Sequence, residues 1–317
     1  MTTTTVFFNT YGRLRSGWRF LIFILLFVFF FLLFGAAAQT VLARLPIGFG
    51  PGAVIFMLAN SGLSLCIALL AGWLCGRFLE GLPFRALGAW FTKNWFKDLC
   101  IGFGLGGGTL LVAVLIAWVS GGLSFRFDSD YGSAAILVTL SVSLAVFAVA
   151  AAFEEALCRG YILQTFMRAG FAWPAIIGTS ILFGAGHLGN PSAGWISVAN
   201  TVLAGVWFGV AYMRTRTLWL PFGMHFIWNW MQGSVFGIEV SGLKDILKAP
   251  VLQEIDRGPA WLTGADYGIE ASIACTIALA VSTVAIYFLP VLKPTDEMLT
   301  LTSRELPPGS EKETVNT

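Results

Sequence analysis

The feature that most restricts how this chain can fold is the repetition of apolar stretches long enough to cross a lipid bilayer. A helix needs about 20 apolar residues to cross about 30 Å of hydrocarbon. Only 11% of the residues are charged and 57% are hydrophobic, which argues against a soluble domain. The sequence therefore predicts an all-α, polytopic integral membrane protein with about eight transmembrane helices. The predicted spans are residues 18–42, 52–75, 99–119, 133–158, 172–189, 194–213, 218–237 and 269–290.

The spans predict a single transmembrane domain over residues 1–290. Residues 291–317 are polar and rich in Ser, Thr, Glu and Pro, which is typical of a disordered tail. Residues 102–108 (GFGLGGG) have the spacing of a nucleotide-binding loop, but no strand precedes them. Small residues four positions apart favour close packing against another helix instead.

The basic residues predict the orientation of the chain in the membrane. If the N-terminus is cytoplasmic, most of the 19 Lys and Arg residues lie on the cytoplasmic side, and an even number of spans returns the C-terminus to the same side. The basic residues in the cytoplasmic loops and the compact size of the chain favour a bacterial inner-membrane protein. The triplet 36–38 (AAA) resembles a signal-peptide cleavage site, but the preceding apolar stretch is long enough to span, so we expect an uncleaved first helix. A net charge of +2 gives no indication of nucleic-acid binding.

Three of the predicted helices carry polar or ionisable residues deep within apolar sequence. Such residues are rare in membrane spans, because each costs about 2.5–3.5 kcal/mol to insert at the centre of a helix. Their occurrence in three helices predicts one shared polar cavity. The residues are Glu154, Glu155 and Arg159 in the fourth helix, His187 in the fifth, and His225 and Asn229 in the seventh.

The spacing of these residues predicts how they meet. The fourth helix should continue to about residue 167, and a turn near residues 169–172 should join it to the fifth as an antiparallel hairpin. Glu154 and His187 are equally far from that turn, so they should lie at the same depth and can contact each other. Glu155 and Arg159 are four residues apart and can pair, which leaves Glu154 free.

This arrangement suits the hydrolysis of an amide bond. A water polarised between Glu154 and His187 can attack the carbonyl carbon, and His225 and Asn229 can donate hydrogen bonds to the oxyanion. A purely structural role, as a buried ion pair and hydrogen-bonded packing residues, is the alternative for each group taken alone.

No cofactor or metal is predicted, and zinc is the main alternative. Two histidines and a glutamate are common zinc ligands, but the sequence contains no HExxH motif. The five cysteines fall in apolar segments without metal-ligand spacing.

Three strings carry a resemblance to a known family: FEEALCRGYIL (153–163), SILFGAGHLGN (180–190) and RTRTLWLPFGMHFIWNW (214–230). They resemble the EExxxR, FxxxH and HxxxN motifs of the CPBP family, which comprises CAAX prenyl proteases and bacteriocin-processing (Abi) membrane proteins. The resemblance covers about residues 133–232.

The resemblance implies an intramembrane glutamic endopeptidase that acts on a membrane-associated protein or peptide. By position, Glu154 would be the base that activates water, assisted by His187. His225 and Asn229 would form the oxyanion hole, and Glu155 and Arg159 would support the first motif. The prenylated substrate of the eukaryotic branch is not carried over to this chain.

Two other functions remain open from the sequence. Some members of this family act as scaffolds or regulators of partner proteins, in which case the polar network would be structural. A transporter that uses Glu and His as a proton relay is less well supported, because the sequence has no internal inverted repeat.

Overall fold

A computed structural model describes residues 6–42, 51–127, 131–243 and 248–303 of the chain. Most of these residues are helical. The α-helices are α1 (Ser16–Leu42), α2 (Pro51–Cys75), α3 (Trp95–Val119), α4 (Ser133–Glu155), α5 (Leu163–Arg168), α6 (Ala172–Gly186), α7 (Trp195–Thr215), α8 (Trp219–Trp230), α9 (Ala260–Thr263), α10 (Ile273–Phe288) and α11 (Asp296–Thr302). Short π-helical segments follow α2, α4 and α8, at Gly76–Glu80, Ala156–Ile162 and Met231–Val235. Short 3₁₀ turns occupy Phe84–Leu87, Ala265–Tyr267 and Ile269–Ala271.

The helices confirm the prediction of a polytopic all-α membrane protein. In the described part of the chain, five helical stretches are long and apolar enough to cross a bilayer: Ser16–Ala38, Val54–Glu80, Trp95–Val119, Ser133–Arg168 and Trp195–Thr215. The other three predicted spans are also helical, but α6, α8 and α10 have only 15, 12 and 16 residues. At 1.5 Å per residue these helices are shorter than about 30 Å of hydrocarbon.

The long fourth helix is confirmed, and it contains a change of helix type. Its helical path runs from Ser133 to Arg168 through the π-helical segment Ala156–Ile162. The turn that follows contains Gly170 in a left-handed conformation (φ 88°), and α6 then begins at Ala172. The predicted hairpin between the fourth and fifth spans is therefore present.

A two-stranded antiparallel sheet is an addition that the predicted spans did not include. Strand β1 (Leu123–Phe127) pairs with β2 (Leu252–Asp256), with Leu123 opposite Asp256 and Phe127 opposite Leu252. The alternation of apolar and polar residues in LSFRF is the signal of a strand. The sheet fastens the loop after α3 to the connecting segment, by which we mean residues 238–243 and 248–271.

The region predicted as a disordered tail begins with an ordered helix. Helix α11 starts at the Thr295 cap, whose side chain accepts a hydrogen bond from the Met298 backbone N–H. Met298 and Leu301 are buried against Leu82 and Ala86, so apolar contacts hold this turn in place. Residues 304–317 lie outside the described part of the chain.

A buried cluster of charges joins α1 to α5 near the end of α2. The Glu80 carboxylate lies 2.9 Å from the Arg19 guanidinium and 2.8 Å from that of Arg168, and all three side chains are almost fully buried. Arg168 also donates a hydrogen bond to Gln164. Because a buried charge without a partner is costly, this cluster fixes the three elements relative to one another.

Helices α3 and α8 pack with their backbones in contact, through the glycines of the GFGLGGG string. A Cβ atom on Gly106 would overlap the Met224 carbonyl oxygen, and one on Gly102 would overlap that of Leu220. At Gly104 and Gly108, by contrast, a Cβ atom would meet no other part of the described chain within 4 Å. The predicted close packing is therefore present, through Gly102 and Gly106, and it positions the helix that carries His225.

Replacing Gly106 by Ala should destabilise the fold, because the added methyl group cannot fit against the α8 backbone. We expect Gly106→Ala to lower the free energy of unfolding by about 1–3 kcal/mol, as is usual for overpacking. Gly104→Ala is the matched control and should cause no loss, since no atom of the described residues lies within 4 Å of its Cβ position. Thermal unfolding of the two variants in detergent checks this, and equal stability would contradict the packing.

Candidate active site

The first motif lies where α4 changes into a π-helix. Glu155 is the last residue of α4, and Arg159 lies within the π-helical segment. Gly160, next to Arg159, departs from helical geometry with ψ of −106°. Single π turns inside α-helices are rare, and those that occur are often found at functional sites. The carboxylates of the motif thus lie immediately before a local distortion of the helix.

Glu155 is the centre of a buried charge network that links the first and third motifs. Its Oε1 atom lies 3.0 Å from Arg159 Nη1 and 3.0 Å from His225 Nδ1. Because a carboxylate only accepts hydrogen bonds, both groups must donate to it. The side chains of Glu155 and Arg159 are 1% and 0% exposed. The predicted Glu155–Arg159 pair is present, and His225 is an additional partner that the spacing could not show.

Arg159 is held on the other side by helix α7 and two aromatic rings. Its Nη2 donates to the Gly205 carbonyl oxygen at 3.0 Å. The guanidinium carbon lies 4.8 Å from the ring centre of Phe183 and 5.2 Å from that of Phe208, which are favourable cation–π distances. The Phe208 ring in turn stacks on His225, with ring centres 4.7 Å apart.

Glu154 lies in a different environment from its neighbour. Its side chain is 28% exposed, and its Oε2 atom lies 3.7 Å from His225 Nε2. That oxygen accepts no hydrogen bond from the residues that the structure describes. The two carboxylates therefore differ in burial and in their charged partners: Glu155 is buried and held at 3.0 Å by Arg159 and His225, while Glu154 is partly exposed and lies 3.7 Å from His225. The Oε2 atom of each accepts no hydrogen bond from the described residues.

His187 occupies the C-terminal cap of α6 rather than its interior. Its Nδ1 atom lies 2.8 Å from the Phe183 carbonyl oxygen, so the neutral ring carries its proton on Nδ1 and has an unprotonated Nε2. Within the described residues, no ion pair or hydrogen bond joins His187 to Glu154, although the sequence led us to expect contact. The imidazole nearest to Glu154 is that of His225, because α8 approaches α4 at this level.

A cavity of about 240 Å³ brings most of the predicted site residues together. Glu154, His187, His225 and Asn229 all line it, while Glu155 and Arg159 lie behind this lining and hold it. Aromatic residues, including Phe183, Trp207, Phe208 and Trp228, make up much of the wall. The arrangement can hold a polar reaction within mainly apolar surroundings.

Several polar residues of the cavity were not found from the sequence. They are Asn190, Asn200, Thr201, Ser241 and Glu270. Asn200 could have been noticed as an amide side chain within an apolar helix. Glu270 could have been noticed as an acidic residue at the edge of the last predicted span. Neither falls in the three motifs, so only the folded chain shows that they face the same space.

Hydrogen bonds of Glu270 and Asn200 hold the connecting segment against the cavity. The Ser241 backbone N–H and hydroxyl donate to Glu270 Oε2 at 2.6 and 3.0 Å. The Asn200 side chain donates to the carbonyl oxygens of Glu270 and Ser272, both at 2.8 Å.

No metal site is formed by three or more His, Cys, Asp or Glu side chains in the described part of the chain. The five cysteines are all free. Glu154, His187 and His225 share the cavity without the close convergence that a tetrahedral zinc site requires. The metal-free reaction predicted from the sequence stays a prediction.

Taken together, the fold and the site define a class: a polytopic helical membrane protein with a carboxylate–imidazole site buried among its helices. Residues 136–231 match the model of the Rce1-like family, described as type II CAAX prenyl endopeptidase Rce1-like. The matched region contains all three motifs. The match confirms the resemblance to the CAAX prenyl protease family that the motifs indicated. No curated protein matches the chain.

Replacing one carboxylate or the other should separate their structural roles. Glu155→Gln leaves the buried Arg159 guanidinium without its anion and weakens the acceptor of the His225 N–H, so we expect the free energy of unfolding to fall by about 3–5 kcal/mol. Glu154→Gln is the matched control and should leave stability unchanged, because its Oε2 accepts no bond from the described residues. Thermal unfolding of both variants in detergent measures the difference, and equal losses would contradict this division.

Proposed function

We propose that this chain is an intramembrane glutamic endopeptidase that hydrolyses a peptide bond of a membrane-associated protein or peptide. The observation that carries the proposal is the contrast between two adjacent carboxylates. Glu155 is 1% exposed, and its Oε1 atom is held by Arg159 and His225, both at 3.0 Å. Glu154 is 28% exposed, has its nearest charged neighbour 3.7 Å away, and lines the cavity together with His187, His225 and Asn229. The match to the Rce1-like family supports a membrane protease in general.

In this mechanism Glu154 acts as the general base. Its carboxylate removes a proton from a water molecule, and the water oxygen forms a bond to the carbonyl carbon of the substrate. His187 assists by accepting the second O–H of that water at its unprotonated Nε2, since Nδ1–H is committed to Phe183. When the tetrahedral intermediate collapses, Glu154 returns its proton to the leaving nitrogen and the peptide C–N bond breaks.

The developing oxyanion is stabilised by His225 and Asn229. The Nδ1–H of His225 donates to Glu155, and in the protonated ring Nε2–H is a donor on the side of Glu154. Because Glu155 is shared with Arg159, the positive charge of that ring is balanced by Glu155 and Glu154 together, which lie 3.0 and 3.7 Å from its two nitrogens. The Asn229 amide supplies a second donor from the next turn of the same helix. Donors fixed before the reaction need no reorganisation in a poorly hydrated cavity, which makes them effective.

We further propose a bacterial inner-membrane location with both termini in the cytoplasm. The distribution of Lys and Arg supports this orientation. It would place the connecting segment, which covers one side of the cavity, on the outer side of the membrane. The substrate would be a membrane-associated protein or peptide that reaches the cavity between the helices.

Loss of the Glu154 carboxylate should abolish proteolysis without loss of the fold. We expect Glu154→Gln to reduce cleavage by at least about 10²-fold, the usual contribution of a general base. The test compares new protein N-termini in membranes of cells that carry the native chain or the variant at matched expression, followed by cleavage assays with purified protein.

Glu239→Gln is the matched control, because it removes a carboxylate of the connecting segment that does not line the cavity. Termini that appear with the native chain and with this control, but not with Glu154→Gln, would support the proposal. Identical termini for all three chains, with Glu154→Gln still rescuing a deletion strain, would favour a scaffold or regulator instead.

We also expect the reaction to proceed without a metal ion. Purified protein treated with EDTA or 1,10-phenanthroline should keep its cleavage rate, since carboxylate, imidazole and amide groups supply every step. Loss of cleavage on chelation, with recovery on adding Zn²⁺ alone, would instead identify a zinc enzyme.

A further inference from the structure

The cavity contains a second carboxylate that the proposed mechanism does not use. Glu270 belongs to the short 3₁₀ turn Ile269–Ala271, just before α10, and it lines the same cavity as Glu154. It lies outside residues 136–231, the region that matches the Rce1-like family. It is therefore a feature of the site that the family match does not account for.

The Glu270 carboxylate is held in place on one side only. Both hydrogen bonds from Ser241 end on its Oε2 atom, and no hydrogen bond to Oε1 is formed by the described residues. Asn200 fixes the backbone of the same turn by bonding the Glu270 carbonyl oxygen. A carboxylate that is oriented on one side and unpaired on the other can receive a ligand.

The charges around the cavity indicate which ligand would be favourable. Two carboxylates, Glu154 and Glu270, line it, and its described lining includes no Lys or Arg side chain. An anion in a mostly apolar cavity is costly unless a positive partner accompanies it. His187 and His225 also line the cavity, and the proposed mechanism uses both. A substrate with a terminal carboxylate near Glu270 would meet repulsion, whereas an ammonium or guanidinium group would be attracted.

We propose that Glu270 is a specificity-determining residue that binds a cationic group of the substrate, either a Lys or Arg side chain or a free N-terminal amine. This assignment rests on the proposed function, since the cation belongs to the chain that is cleaved. Glu270 sets which peptide binds and takes no part in proton transfer. The same site therefore has one carboxylate for chemistry and another for recognition.

Binding of matched peptides to the full-length chain in lipid nanodiscs tests the assignment. The background variant is Glu154→Gln, so that binding is measured without cleavage. Three fluorescent apolar peptides are compared by anisotropy: one with a single Lys and an acetylated N-terminus, one with norleucine in place of that Lys, and one with norleucine and a free N-terminus. We expect one of the two cationic peptides to bind about tenfold or more tightly than the neutral one.

Glu270→Gln, added to this background, should abolish the preference, because the amide oxygen can still accept from Ser241 but carries no charge. Glu239→Gln is the control that removes a carboxylate outside the cavity lining, and it should keep the preference. Tightening with Lys identifies a side-chain ligand, and tightening with the free N-terminus identifies the amine. Equal binding of all three peptides, or a preference that survives Glu270→Gln, would overturn the assignment.

Cleavage of the same peptides by the chain with Glu154 intact separates this proposal from the proposed function. If cationic peptides bind through Glu270 but are never cut, the protease proposal is contradicted and the assignment of Glu270 as a cation-binding residue is supported. Cleavage at equal rates and with equal affinities for all three peptides would support the protease and contradict the cation site.

Discussion

The buried contact of Glu155 with Arg159 and His225 is the interaction on which the rest of the site depends. Burying any one of these polar groups alone inside a membrane protein would cost free energy, and this cost is reduced because each group is the hydrogen-bond partner of another. The contact joins α4 to α8, and Arg159 extends it to α7 through the Gly205 carbonyl. Four helices converge on it once the Phe183 ring of α6 is included. The position of every proposed catalytic group follows from this convergence.

The close approach of the helices that this network needs is possible because small residues lie at the contacts. A Cβ atom on Gly205 would overlap Ser180 of α6, so the carbonyl that receives Arg159 depends on a glycine. Gly102 and Gly106 allow α3 to support α8 from behind in the same way. Apolar side chains alone give little driving force between helices in lipid, so close backbone packing and buried polar bonds define the arrangement.

Adjacent carboxylates acquire different properties because helix geometry turns them to different sides. Neighbouring residues on a helix are separated by about 100°, so Glu155 faces the interior while Glu154 faces the cavity. Glu155 is buried and held by Arg159 and His225, whereas Glu154 is partly exposed and lines the cavity. Across the same space, Glu270 is oriented by Ser241 through its Oε2 atom, and no described residue donates a hydrogen bond to its Oε1 atom. In the proposed mechanism Glu154 therefore acts on water, and Glu270 is left to bind a cationic group of the substrate.

The sequence alone determined the membrane class, the eight helical stretches, the long fourth helix with its following turn, and the residues of the three motifs. It could do so because apolar length and i,i+4 spacing are local properties of the chain. The tertiary structure decided that His225, rather than His187, lies beside Glu154, and that Glu155 is shared between Arg159 and His225. It also decided the β1–β2 pairing and the place of Glu270 in the cavity, between residues far apart in the sequence. Such contacts depend on how helices rotate and approach one another, and spacing along a single helix does not contain that information.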